Sequence, residues 1–146
     1  MKGNTDIKSN IPKHIFDIVN FMTIKRDAQM ASPYHHDIKK SNHMCAILDS
    51  NGNPLIFGSN FYNIKINTTE HAETNAISKL INKLGRTHRK ITVDLVVIRT
   101  NGGNSMPCDK CMKRIIQVSQ RFYIRYIYFT VNEFDIGYIK FSKINI

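Results

Sequence analysis

Apolar positions first recur at helical spacing in IPKHIFDIVNFMTIKRDAQM, where Ile11, Ile15, Ile18, Val19 and Met22 fall at that spacing and Pro12 suits a first turn. ASPYHHDIKKSN breaks the pattern and reads as a loop. In HMCAILDSNGNPLIFGSN two short apolar runs flank DSNGNP, a cluster of turn formers containing Asn-Gly, which predicts a hairpin with strands near 43–49 and 54–59. FYNIKINTT reads as a connecting loop. A second helix is expected over roughly 69–84, with Ala72, Ala76, Ile77, Leu80, Ile81 and Leu84 as its buried stripe and Gly85 at its end. ITVDLVVIRT is rich in β-branched residues and reads as a strand, and NGGNSMP as a loop. CDKCMKRIIQVSQ returns to the helical period, and RYIYFT and FDIGYIKF read as two final strands.

The order helix, hairpin, helix, strand, helix, strand, strand implies an α/β domain, a five-stranded mixed sheet with helices packed on it. Only VNEFD separates the last two strands. A parallel crossover needs a dozen or more residues, so these strands are expected to be antiparallel neighbours. Residues 1–10 are expected to form a flexible tail and residues 11–146 a single domain.

A hydrophobic fraction of 42% and a charged fraction of 22% are those of a soluble globular protein. No apolar run approaches the roughly 20 residues of a membrane span, and MKGNTDIKSN has no signal-peptide apolar segment. The expectation is a soluble, intracellular, cytoplasmic protein without a membrane partner. The net charge of +10 admits two readings. One is an anionic partner, a nucleotide or nucleic acid; the other is a composition rich in Ile, Lys and Asn, since the basic residues form no dense cluster.

Three cysteines make no disulfide framework, but Cys108 and Cys111 are three apart at a helix start, where both sulfurs can reach one metal. The helix N-terminus also favours thiolate. A redox dithiol is the rival, although such a motif would follow an early strand, and two half-buried core cysteines are the bland alternative. Cys45 reads as a small core residue. Two sulfurs do not complete a tetrahedral site. His14, His35, His36, His43 and His88 each read as surface or loop residues, whereas His71 opens a helix just after the hairpin. Glu73 lies two residues on, where the tilt of Cα–Cβ bonds towards the helix start lets both side chains reach beyond it. Taken alone, Glu73 is simply a favourable charge at a helix N-terminus.

HAE followed by PCDKC resembles the H-x-E … P-C-x-x-C signature of the zinc-dependent cytidine and deoxycytidylate deaminase-like superfamily, and the element order resembles that family's core. The resemblance implies a three-layer α-β-α fold. It implies Zn²⁺ held by His71, Cys108 and Cys111, with Glu73 off the metal as the catalytic group that shuttles protons. The reaction implied is hydrolytic removal of an amino group from a base as ammonia. The backbone around Ala72 and Pro107 would frame that base, and Asn60 would bond the sugar. The substrate expected is a cytosine nucleoside or nucleotide, and a homo-oligomer is expected by the same resemblance.

The branch within the superfamily is not fixed by these residues. HAETNAI resembles the branch with a His ligand, which includes deoxycytidylate and tRNA adenosine deaminases, whereas antiparallel final strands resemble the free-nucleoside branch. A base deaminase of RNA or single-stranded DNA, and a zinc-stabilised binding protein on a retired deaminase scaffold, are the alternatives. The aromatics clustered from Phe122 to Phe141 read mainly as core.

Overall fold

The computed structural model describes residues 4–7, 11–30, 43–63, 68–85, 90–99, 104–118, 121–132 and 135–141. The expected loop over 31–42, with His35 and His36, and also His88, lies outside the described residues. Strands β1 (Asn4–Ile7), β2 (His43–Asp49), β3 (Pro54–Ser59), β6 (Ile91–Arg99), β7 (Phe122–Thr130) and β8 (Ile136–Lys140) form one sheet in the order β1-β8-β7-β6-β2-β3. Only β6 and β7 are parallel. The helices are α1 (Lys13–Met30), α2 (Ala72–Leu84) and α3 (Asp109–Val118).

Alternation along the strands builds two cores. Cys45, Ile47, Val93, Leu95 and Val97 pack with Ala76, Ile77 and Leu80 of α2 and Ile115 and Val118 of α3. Met44, Ala46, Leu48, Val96 and Ile98 turn the other way and pack with Ile11, Ile15 and Met22 around α1. The result is the expected three-layer fold. β7 and β8 are antiparallel as expected, with Ile127 opposite Ile139.

Three segments differ from the sequence expectation. The N-terminal stretch, expected to be a tail, contributes β1 as a sixth, edge strand on the expected five, with Asn4 opposite Lys140 and Ile7 opposite Gly137. Its pairing to β8 is a backbone ladder, which needs no hydrophobic alternation in NTDI. The expected loop FYNIKINTT contains β4 (Phe61–Asn63), which pairs antiparallel with β5 (Thr68–Glu70) in a separate ribbon. That ribbon also takes the residues expected to start α2, so the helix begins at Ala72. At the far end of α2, Gly85 ends the helix as expected, at a positive φ of 79 that suits glycine, and its N–H bonds the Ile81 carbonyl.

β7 carries a bulge. Val93 lies opposite Ile124, but Asp94 lies opposite Tyr126, so Arg125 is an extra residue. This is why Ile124 and Ile127, three apart, both belong to the core under α2 and α3.

Candidate active site

The mouths of α2 and α3 are built alike. His71 precedes α2 in an extended conformation, and its carbonyl accepts the Asn75 N–H at 2.9 Å. Cys108 precedes α3, and its carbonyl accepts the Met112 N–H at 2.8 Å. Each therefore caps its helix through its backbone. The His71 side chain makes no capping bond and reaches instead for the thiols. Glu73 and Cys111, each inside the first turn, complete the cluster.

Close packing holds these mouths in place. A Cβ on Gly58 of β3 would come within 2.5 Å of the Ala76 nitrogen and 2.7 Å of the Ala72 carbonyl oxygen. Glycine on the strand and alanines on the helix thus let α2 lie directly against β3. The Asn75 carboxamide ties the same strand to the helix by accepting the Ser59 N–H at 3.1 Å. On the α3 side, buried Ser105 anchors the loop that leads into the cysteines. Its hydroxyl lies 2.7 Å from the Val97 carbonyl and 2.8 Å from the Thr130 hydroxyl, and accepts the Thr130 N–H at 2.7 Å. The Ser105 N–H in turn bonds the Thr130 carbonyl at 2.8 Å.

The donor atoms of His71, Cys108 and Cys111 all lie within 4.8 Å of one another. His71 Nδ1 is 3.1 Å from Cys111 Sγ and 3.6 Å from Cys108 Sγ. A tetrahedral zinc ion with ordinary Zn–N and Zn–S distances spaces such donors about 3.6–3.8 Å apart. One imidazole and two thiols is also a donor set that zinc favours. Electrostatics agree with that fit. Burial pushes the Cys111 thiol well above its ordinary range, and the neighbouring Glu73 and Cys108 push it further. Burial likewise raises the Glu73 carboxyl, against the lowering effect of its backbone hydrogen bond and of His71. Clustered acid groups resist ionisation together, and a divalent cation removes that resistance.

A cavity of about 290 Å³ opens beside the three donors. His71, Ala72, Glu73 and Cys108 form one part of its lining, and Asn60 another. The Asn60 carboxamide oxygen accepts the His43 N–H at 2.8 Å, which fixes that side chain at the end of the hairpin. Pro107 is buried in the same loop, but its neighbours Met106 and Cys108 line the cavity and Pro107 does not. Five lining residues carried no functional reading in the sequence: His43, Arg99, Asn104, Ser105 and Met106. The signal for Arg99 was its place at the carboxyl end of a parallel strand, where α/β sheets bind ligands.

Residues 20–127 match the family model of the cytidine and deoxycytidylate deaminase zinc-binding region. The chain belongs to this family. The structure is similar to that of cytidine deaminase from Mycobacterium leprae, with a TM-score of 0.50 at 17% identity over 84% of this chain and 92% of that one. It is also similar to that of cytidine deaminase from Burkholderia pseudomallei, with a TM-score of 0.51 at 16% identity over 83% and 91% of the two chains. At such identities the likeness is one of fold. No curated protein sequence matches the chain. Within the deaminase family zinc is the cofactor, and His71, Cys108 and Cys111 are the donors this chain brings together for it. Among the described residues no helix is long and apolar enough to cross a membrane.

Proposed function

We propose that this member of the family is a hydrolytic deaminase acting on the base of a cytosine nucleoside or nucleotide. The observation that carries the reading is the convergence of His71, Cys108 and Cys111 with a buried carboxylic acid, Glu73, beside them on the cavity wall. Zinc bound there supplies activation of water at neutral pH. Glu73, within hydrogen-bonding reach of Cys111 and already raised by burial, holds and moves the protons. It accepts one from the attacking water and delivers it to the ring nitrogen, and it then assists departure of the amino group as ammonia. The water oxygen stays on the base, so cytosine becomes uracil. Asn60 holds the sugar, and the backbone at Ala72 and beside Pro107 frames the ring.

A second reading, deamination of bases in RNA or single-stranded DNA, is favoured by the net charge of +10. One panel separates the two. Zinc-loaded protein is offered cytidine, deoxycytidine, their monophosphates, adenosine, and short RNA and DNA strands, with products identified by mass spectrometry. The expected result is about one zinc per chain and ammonia release from a cytosine monomer, abolished in Glu73→Ala. Product in oligonucleotides alone selects the second reading. Full zinc loading with no turnover of any substrate rejects both and leaves a zinc-stabilised scaffold.

A further inference from the structure

The cavity has a cationic end that deamination of a base does not require. In the antiparallel register of β2 and β6, His43 lies opposite Arg99, and both residues line the cavity. Among the described residues Glu73 is the only carboxylic acid in that lining. The Arg99 side chain is exposed, makes one long bond to the Asn104 carbonyl at 3.4 Å, and forms no ion pair among the described residues. The backbone beneath it is held by a second guanidinium, since buried Arg26 of α1 donates to the Arg99 carbonyl oxygen. A neutral sugar gives an arginine fork little to bind, whereas a phosphate matches it with paired, charge-assisted hydrogen bonds. The cavity volume of about 290 Å³ lies at the small end of the range for small-molecule sites, in keeping with a single nucleotide.

Resting on the deaminase reading, we propose that Arg99 and His43 form a phosphate-recognising end of the cavity and that the substrate is a nucleoside monophosphate. Arg99 sets specificity between nucleotide and nucleoside, and takes no part in the bond-breaking step.

The test measures binding and turnover separately. Calorimetry on the zinc-loaded chain compares matched pairs, cytidine with its 5′-monophosphate and adenosine with its 5′-monophosphate, and steady-state ammonia release is followed on the same compounds. The monophosphate of the accepted base is expected to bind at least tenfold more tightly than its nucleoside. Arg99→Gln should shrink that ratio tenfold or more, and Arg99→Lys should restore part of it. Inorganic phosphate should compete with the nucleotide. Zinc content and thermal midpoint, measured on each variant, confirm that the fold is kept, and His43→Asn provides an independent change at the same end. Equal affinity for both members of a pair, or an equal loss on both in Arg99→Gln, overturns the proposal. So does a tenfold preference for an internal base of an oligonucleotide over the monophosphate. An Arg99-dependent preference without ammonia release would sink the deaminase reading and leave the phosphate site standing. Equal turnover of nucleoside and nucleotide would do the reverse.

Discussion

Strand β6 touches two polar clusters that treat buried charge in opposite ways. Near its start, Asp94 is 1% exposed and fully served. Its carboxylate accepts from Arg125 Nε at 3.1 Å and Nη2 at 2.7 Å and from the Tyr126 N–H at 3.1 Å. Charge and lone pairs are matched within the chain, so the cluster needs no further partner. Past the other end of the strand, Glu73, Cys108 and Cys111 meet around one imidazole, and among the described residues no lysine or arginine pairs with them. Burial pushes both Glu73 and Cys111 towards their protonated forms. The first cluster is closed and structural. The second is complete only with an external cation, and that incompleteness makes it a site.

The sharpest way to break this contrast is Glu73→Gln. General acid–base catalysis contributes about 10²–10⁴-fold, so kcat on the accepted substrate should fall by that factor. Zinc content and thermal midpoint should hold, because glutamine keeps the shape and removes an acid that burial already opposes. A fall in zinc content with the lost activity would instead place Glu73 on the metal. Removing zinc with a strong chelator comes next. At free zinc about a hundredfold above Kd, binding adds about 2.7 kcal/mol, a shift in thermal midpoint on the order of 10 °C for a domain of this size. Calorimetric scans with and without chelator should differ by that amount, with ammonia release lost and then regained on adding zinc. Identical scans would mean that the open cluster folds as stably without a cation.

The two clusters also differ in how far they could be read from the chain. His71, Glu73, Cys108 and Cys111 were legible because each sits in the first turn or cap of a helix whose own apolar period is clear. Two short spacings then sufficed. The Asp94–Arg125 pair was not legible, because the bulge that makes it is an extra residue in β7 and alternation along YIRYIY does not reveal which residue is extra. His43 and Arg99 meet only through the register of β2 with β6, a long-range property. β1 and the β4–β5 ribbon escaped for a related reason: short edge strands and ribbons are held by backbone ladders, and their sequences carry no apolar period.

Asp94→Asn should separate structure from function in the closed cluster. It leaves a guanidinium without its counter-charge, but the Arg125 side chain is 43% exposed and water takes over part of the role. The expected cost is therefore about 1–3 kcal/mol, below that of breaking a fully buried pair. Denaturant titration measures it. Zinc content and kcat/KM should stay within about twofold of the native chain, since distant sites add independently. Replacing both partners, with Asp94→Leu and Arg125→Met, should recover much of the loss. A zinc defect in Asp94→Asn would show that the two clusters are coupled through β6.

Ser105→Ala tests whether the open site depends on the sheet that also carries the closed one. The Ser105 hydroxyl joins the loop before Cys108 to β6 at Val97 and to β7 at Thr130. Alanine removes the hydroxyl's contacts to Val97 and Thr130, at a cost of about 1–2 kcal/mol by denaturant titration.

The smallest effect concerns the closed side alone. Burial pushes the Tyr128 hydroxyl up to about 12, with Asp94 adding to the shift. An unfolded tyrosine ionises near 10. Between those values the native chain keeps a proton that the unfolded chain has lost, so stability present below about pH 10 is lost as pH rises towards 12. Denaturant midpoints measured from pH 9 upward should fall more gently in Tyr128→Phe than in the native chain. Equal slopes would mean that Tyr128 ionises in the folded protein as it does in the unfolded one, and that the surroundings of Asp94 are wetter than the closed geometry implies.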